Sequence, residues 1–156
     1  MSKEGVDFRK FDSTLGIEFS KFASKELGRD MWVVKESFNL QLGEDRRINV
    51  PKGYLTDGAS VPRLFWGLIP PWGEYGQAAV MHDWLCEYLV IWDDNHKDWI
   101  SISRSDCDAL FNTGMRILGV NKTKRLVMYN AVRAYGHLAS IVGQSYDPIK
   151  GELEKH

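Results

Sequence analysis

The sequence has few cysteines and no long apolar run. Its two cysteines, Cys86 and Cys107, match neither a disulfide framework nor the ligand spacing of a zinc site. Apolar stretches such as residues 89–92 are far shorter than the roughly 20 residues of a membrane span. The first twelve residues are charged where a signal peptide would be apolar. We therefore expect reduced thiols, no transmembrane segment and a cytoplasmic protein.

An excess of either charge is also absent. The 20 Lys and Arg residues nearly balance the 21 Asp and Glu residues, and neither sign forms a long block. A surface that follows a phosphate backbone usually has a clustered basic excess. We therefore expect no nucleic-acid partner. An apolar content of 44% over 156 residues is that of one globular domain.

The first half of the chain has the patterns of β-structure. Residues 1–30 are expected to be an N-terminal arm or accessory elements that pack on a single domain of residues 31–143. Apolar and polar residues alternate over residues 38–50 around a Gly-Glu-Asp turn, which predicts a β-hairpin. Residues 54–56 predict a third short strand. Residues 57–74 are rich in Pro and Gly among apolar residues, and they predict an ordered loop.

The second half predicts helices. Residues 75–91 are apolar on nearly every face and predict a buried helix, followed by a polar connection over residues 92–101. Ser103 with Asp106 predicts the start of a second helix, and Asn121 that of a third. Residues 144–156 are expected to be a loose tail. The fold class is therefore α+β, with an N-terminal hairpin or small sheet packed on a C-terminal bundle of about three helices.

Four polar residues interrupt the expected core. His82 and Asp83 lie inside the apolar helix, and adjacent helical residues point about 100° apart, so the two side chains should have different partners. Asp108 begins an inward stripe of the next helix, where it could orient an imidazole as in a general base. Asp57 lies at the start of the Pro- and Gly-rich loop. Two carboxylates with backbone carbonyls form an oxygen set that suits calcium.

Each of these residues also has a purely structural interpretation. His82 could be a core histidine whose hydrogen bonds are satisfied, and Asp57 could shape a turn before glycine. Asp108 could pair with Arg104, one helical turn earlier. The spacing alone leaves these alternatives open.

Three ordered motifs carry a family resemblance. The stretches GYLTDGASVPRLFWGLIPPWGEYGQAAVMHDWL and ISRSDCDALFNTGMRILGV resemble domain of unknown function 1353, a family from phages and prophages. The resemblance covers residues from about 51 to 136. Tyr54 stands where the family usually has Phe, and Cys86 where it often has Tyr.

A second resemblance concerns the site. The order Asp57-Gly58, His82-Asp83, Asp108 is similar to the bacterial and fungal phospholipase A2 group. By that resemblance His82 is the general base for a water and Asp108 orients it. Asp83, Asp57 and the carbonyl of Gly58 are then calcium ligands. Those enzymes are secreted and disulfide-clamped, whereas this chain lacks the bridging cysteines.

The resemblances imply three alternative functions. The first is a phage-encoded, calcium-dependent hydrolase of an ester or lipid substrate. The second is a virion, tail or assembly protein in which the same residues are a buried polar cluster, with phage structural or host proteins as partners. The third is an inhibitor of a host defence protein. The expected location is the host cytoplasm, or a virion in the second case.

Overall fold

In the described part of the chain the architecture is α+β, with two antiparallel sheets and five helices. A computed structural model describes residues 9–57, 75–142 and 148–155. The chain begins with strands and a short helix, and the longer helices follow in its second half. The α+β prediction is confirmed, but β-structure is more extensive than one hairpin or small sheet.

The larger sheet has five strands in the order β1-β4-β5-β7-β8. Its strands are Arg9–Phe11 (β1), Phe38–Leu42 (β4), Arg46–Val50 (β5), Val90–Asp93 (β7) and Asp98–Ser101 (β8). The predicted hairpin is confirmed, because β4 and β5 pair antiparallel with Leu40 opposite Ile48. Both of these side chains are fully buried, as alternation on a half-buried sheet requires. β1 extends this sheet from the N-terminal segment, since it pairs with β4.

The smaller sheet has three strands in the order β2-β3-β6. They are Ile17–Phe19 (β2), Trp32–Val34 (β3) and Leu55–Thr56 (β6). The predicted third short strand is therefore present, but it pairs with β3 and not with the hairpin. A short helix, Lys21–Leu27 (α1), joins β2 to β3; the Ser20 hydroxyl caps its first turn, and Gly28 ends it at a positive φ.

Three helices meet behind the larger sheet. They are Gly76–Tyr88 (α2), Arg104–Ile117 (α3) and Lys122–Val142 (α4). The capping box of Ser103 and Asp106 starts α3 as predicted, and the Asn121 side chain accepts from the Lys124 amide at the start of α4. No helix in the described part of the chain is both long and apolar enough to cross a membrane.

Three predictions of local structure differ from the structure. Residues 92–101, expected as a polar connection, belong to the β7–β8 hairpin, in which Trp92 pairs with Trp99 across the strands. The predicted helix 75–91 ends earlier, at Tyr88, because Leu89 has a left-handed conformation. The expected loose tail also differs from the structure, since Pro148–Glu154 forms a helix (α5) that packs near α1.

The contact between α2 and α3 is unusually close at one point. A Cβ at Gly114 of α3 would lie 3.1 Å from Met81 Cε and 3.2 Å from Ala78 Cβ, both on α2. Glycine thus allows the two helices to approach, and this approach brings the polar residues of α2 and α3 together.

Gly114→Val should lower the free energy of unfolding by about 1–3 kcal/mol, because overpacking a tight core forces backbone shifts. Chemical denaturation measures the loss. Ala109→Val is the control, since Ala109 is exposed on the same helix and should lose only about 0.6 kcal/mol of helix propensity. Equal losses in the two variants would contradict the close approach.

Candidate functional site

The centre of the site is a hydrogen bond between His82 of α2 and Asp108 of α3. His82 Nε2 lies 2.7 Å from Asp108 Oδ1, and both residues are only 1% exposed. A carboxylate accepts, so Nε2 carries the ring proton in the neutral imidazole and Nδ1 is the basic nitrogen. His82 also stacks on Phe111, with ring centroids 4.7 Å apart. The imidazole is therefore fixed in both its plane and its tautomer.

Two arginines compensate the charge of Asp108. Arg133 of α4 donates from Nη1 to Oδ2 at 3.3 Å, and Arg104 Nε lies 3.5 Å from Oδ1. The helices α2, α3 and α4 thus each contribute one group to a single buried carboxylate. A buried carboxylate without such partners would cost several kcal/mol.

The same contacts keep Asp108 ionised. Burial alone would raise the pKa of its carboxyl group, but the hydrogen bond and charge of His82, together with Arg104 and Arg133, outweigh burial, so the pKa is below its usual value. Asp108 therefore acts as an acceptor that orients His82.

Cys86 lies on the same face of α2, one turn after His82. Its Sγ is 3.4 Å from His82 Nε2. Its pKa is raised far above the usual thiol range by its hydrogen bond to Cys107 and by burial. A nucleophilic cysteine needs a thiolate, so Cys86 is a poor candidate for one. Both cysteines are free thiols, as predicted.

Asp83, the next residue of α2 after His82, contacts a strand. Thr56 of β6 donates its hydroxyl to Asp83 Oδ2 at 2.6 Å. His82 and Asp83 therefore do have different partners, as their 100° separation predicts. His82 contacts a neighbouring helix, and Asp83 holds the strand that leads into the Pro- and Gly-rich loop.

Asp57 follows Thr56 directly and pairs with Arg29. Its Oδ2 lies 3.1 Å from Arg29 Nε, with both side chains partly exposed. Because Thr56 is bonded to Asp83, the backbone at Asp57 lies beside α2. The backbone of Asp57 is thus next to the residue that is bonded to Asp83, and its carboxylate is directed to Arg29. Gly58 and the rest of residues 58–74, for which the sequence predicts a loop, lie outside the described residues.

The possible ligand atoms around Asp83 are of the chemical type that calcium prefers. Asp57, Asp83 and Thr56 offer only oxygen atoms, which hard cations prefer. Arg29 already supplies a positive charge to Asp57, so a calcium ion would have to share or displace that contact. Thr56 links the two carboxylates, since it is bonded to Asp83 and precedes Asp57 in the chain.

A second donor set lies on the His82 side. Single atoms of His82, Cys86 and Asp108 all fall within 4.8 Å of one another. Nitrogen, sulfur and oxygen together suit zinc better than calcium. However, Arg104 and Arg133 already bring two positive charges to Asp108, and these oppose binding of a cation. We therefore assign no metal to this side.

Sequence reasoning found part of this arrangement. It named His82, Asp83 and Asp108, and it weighed the contact between Asp108 and Arg104, which is present. It missed Cys86, although an i,i+4 spacing from His82 indicates the shared face. It also missed Arg133, which lies 25 residues from Asp108 and carries no periodic signal.

A comparison with protein families identifies the chain. The family described as "Protein of unknown function (DUF1353)" matches residues 32–132. The chain belongs to the DUF1353 family. The match contains His82, Asp83, Asp108 and Arg104, and it ends one residue before Arg133.

Two curated relatives come from Sinorhizobium fredii (strain NBRC 101917 / NGR234). Uncharacterized protein y4jT is 34% identical over 110 residues, which cover 69% of this chain and 30% of the relative. Uncharacterized protein y4iH is 33% identical over 84 residues, which cover 52% of this chain and 30% of the relative. The matched part of the chain thus spans about a third of the length of these relatives. No solved structure matches the chain significantly.

Asp108→Asn should lower the free energy of unfolding by about 3 kcal/mol near neutral pH, because it leaves two arginines beside an uncharged amide. The stabilisation by the carboxylate is complete above the unfolded-state pKa of about 4. It should be lost as the pH falls through the lower pKa of the folded state. Denaturation curves at several pH values measure this difference.

Asp30→Asn is the control for this experiment, because Asp30 is exposed in the loop after α1. It should change stability little at any pH. A difference between wild type and Asp108→Asn that stays constant down to pH 3 would contradict an ionised Asp108 in the folded protein.

Proposed function

We propose that the protein is a hydrolase that uses His82 as a general base on a carboxylic ester. One observation carries this proposal: an imidazole is fixed by an ionised carboxylate at 2.7 Å and has its basic nitrogen at Nδ1. General bases of hydrolases commonly have this geometry. The resemblance to the phospholipase A2 group supports the assignment, and it suggests a phospholipid among the esters.

Each residue of the site has a separate role in the proposed reaction. Asp108 holds the ring and stabilises the positive charge that His82 acquires when it takes a proton from water. Phe111 limits rotation of the ring by stacking. Cys86 stays protonated and serves as a neutral neighbour, so the activated water and not a thiolate is the nucleophile.

Calcium is the cofactor that we propose for the other face of α2. Asp57 and Asp83 would hold it, with the carbonyl of Gly58 as a further ligand. Bound there, calcium would supply a positive charge that stabilises an oxyanion. Thr56 would position both carboxylates, because it is bonded to one and adjacent in sequence to the other.

A structural role is the second candidate, and the burial of His82 and Asp108 favours it. Both are 1% exposed, which suits a polar cluster that fixes the packing of three helices. In that case the protein would be a virion, tail or assembly component. A phage origin, which the resemblance to a phage and prophage family suggests, is common to both candidates.

His82→Gln should reduce hydrolysis of an ester panel by a factor of about 100 to 10,000, the usual contribution of a general base. Rates with p-nitrophenyl esters of increasing chain length, followed with thermal unfolding of each variant, measure the effect. His96→Gln is the control, since His96 is an exposed imidazole paired only with Asp93 among the described residues. Unchanged hydrolysis in a folded His82→Gln variant would favour the structural role.

Calcium should bind at one saturable site, and Asp83→Asn should abolish binding. The variant keeps an oxygen that can accept from Thr56, so the loss would reflect the missing charge. Calorimetry with calcium up to roughly millimolar concentration covers the range of weak protein sites. Asp98→Asn, at an exposed carboxylate of β8, is the control. Wild type that binds no calcium in this range would rule out the cofactor.

A further inference from the structure

The two arginines at Asp108 bring more positive charge than the single negative charge of this carboxylate neutralises. Arg104 and Arg133 contribute two positive charges, and Asp108 contributes one negative charge. A neutral His82 ring can still donate its Nε2 hydrogen to the carboxylate. The cluster therefore has a net charge of about +1 when the ring is neutral. Like charges held close together favour an anion nearby.

Both arginines reach the surface from this buried contact. The Arg104 side chain is 30% exposed and that of Arg133 is 45% exposed, whereas Asp108 is 1% exposed. The carboxylate thus anchors the inner side of each guanidinium, and their outer sides face solvent. A guanidinium has five N–H donors in a planar fork, and the contacts with Asp108 are made by Nε of Arg104 and Nη1 of Arg133.

Arg104 also retains unused donor capacity on its inner side. Its Nε is buried and makes no hydrogen bond to any described residue, although it lies at ion-pair distance from Asp108. Within the described ranges, Asp108 is the sole carboxylate that pairs with either arginine. The donors of these two side chains therefore exceed the acceptors that the described residues provide.

The neighbouring helix is shaped for this guanidinium. A Cβ at Gly136 of α4 would lie 3.1 Å from Arg104 Cζ and Nη2. Any larger residue at position 136 would push Arg104 away from its present position. The Arg104 guanidinium thus occupies the space between α3 and α4 beside Gly136, which lies three residues after Arg133 on α4.

We propose that Arg104 and Arg133 form a binding subsite for a phosphate group, next to the His82–Asp108 pair. Arginine forks match the oxygen geometry of phosphate and bind it with two parallel hydrogen bonds. The inference rests on the proposed hydrolase function, since it makes the substrate an ester that carries a phosphate. The phosphate would belong either to a lipid headgroup or to a soluble phosphate compound.

Inorganic phosphate is the first probe, titrated by calorimetry at constant ionic strength with chloride as the competing anion. Wild type should bind one phosphate, and Arg133→Gln should weaken binding by about tenfold or more, since charge-assisted hydrogen bonds are the strong ones. Arg116→Gln removes the same charge from an exposed site on α3 and should bind as wild type does. No binding by wild type, or equal binding by Arg133→Gln, would overturn the subsite.

Vesicles separate the two sources of phosphate. Sedimentation with phosphatidylglycerol vesicles that depends on Arg133 and is competed by inorganic phosphate would assign the subsite to a lipid headgroup. Phosphate binding without such sedimentation would assign it to a soluble phosphate compound.

Hydrolysis of a p-nitrophenyl ester tests the proposed hydrolase function without testing the phosphate subsite, because that substrate has no phosphate. If His82→Gln loses this hydrolysis while Arg133→Gln binds phosphate as wild type does, the hydrolase stands and the subsite is overturned. If phosphate binding requires Arg133 but no ester is hydrolysed, the subsite stands as a binding site and the hydrolase fails.

Discussion

A single buried carboxylate imposes its requirements on the whole helical half of this protein. Removing an ion from water costs several kcal/mol even after relaxation, and only close, well-oriented partners offset that cost. Asp108 obtains them from three helices, with His82 on α2, Arg104 on its own helix and Arg133 on α4. The relative register of these helices is therefore fixed by charge as well as by packing. The glycines at 114 and 136 are the two positions where the helices yield space for this arrangement.

The helix α2 connects this centre with the rest of the fold, because its successive polar residues contact different elements. Asp83 and Glu87 lie one turn apart, and their partners are Thr56 and the hydroxyl of Tyr54. The C-terminal helix α5 joins the same face. Its Lys150 is buried, bonds Glu87 at 2.7 Å, and lies over the ring of Tyr54.

The segment before the Pro- and Gly-rich loop is thus bound from several sides. Besides the contacts of Tyr54 and Thr56, the Leu55 amide donates to the carboxylate of Glu154. Glu154 is mostly buried in an ion pair with Lys150, so α5 closes over this segment, and this burial raises the pKa of the Glu154 carboxyl group. The position of Asp57 is consequently a product of long-range contacts, and the strands, α2 and the C-terminal helix all contribute to it.

Local patterns in the sequence predicted those parts of the fold that local physics decides. Alternation gave the β4–β5 hairpin, and the capping residue Ser103 gave the start of α3, since both depend on neighbours a few residues away. The β7–β8 hairpin was missed because its polar turn has the composition of any surface loop. Its strands are identified by the contact between Trp92 and Trp99 in the folded protein, which the sequence pattern does not indicate. The helix α5 was missed because seven residues with one proline carry too little periodicity, and tertiary contacts through Lys150 stabilise it.

The site was predictable to the same extent and for the same reason. A carboxylate at the head of an apolar stripe is expected to point inward, so the buried position of Asp108 followed from helix geometry, whereas its pairing with His82 was one of the alternatives that the spacing left open. The second arginine did not, because the sequence cannot indicate which exposed arginine of α4 reaches across to α3.

That second arginine is the observation on which the proposed phosphate subsite depends. One histidine and one arginine already provide a partner for each oxygen of Asp108, and the further guanidinium adds a second positive charge that repels the first. Arg104 and Arg133 nevertheless converge on the same carboxylate while both remain partly exposed. An anion bound to their outer sides would relieve the repulsion between them, while Asp108 holds both side chains in place. The proposed phosphate subsite beside the imidazole rests on this excess of positive charge.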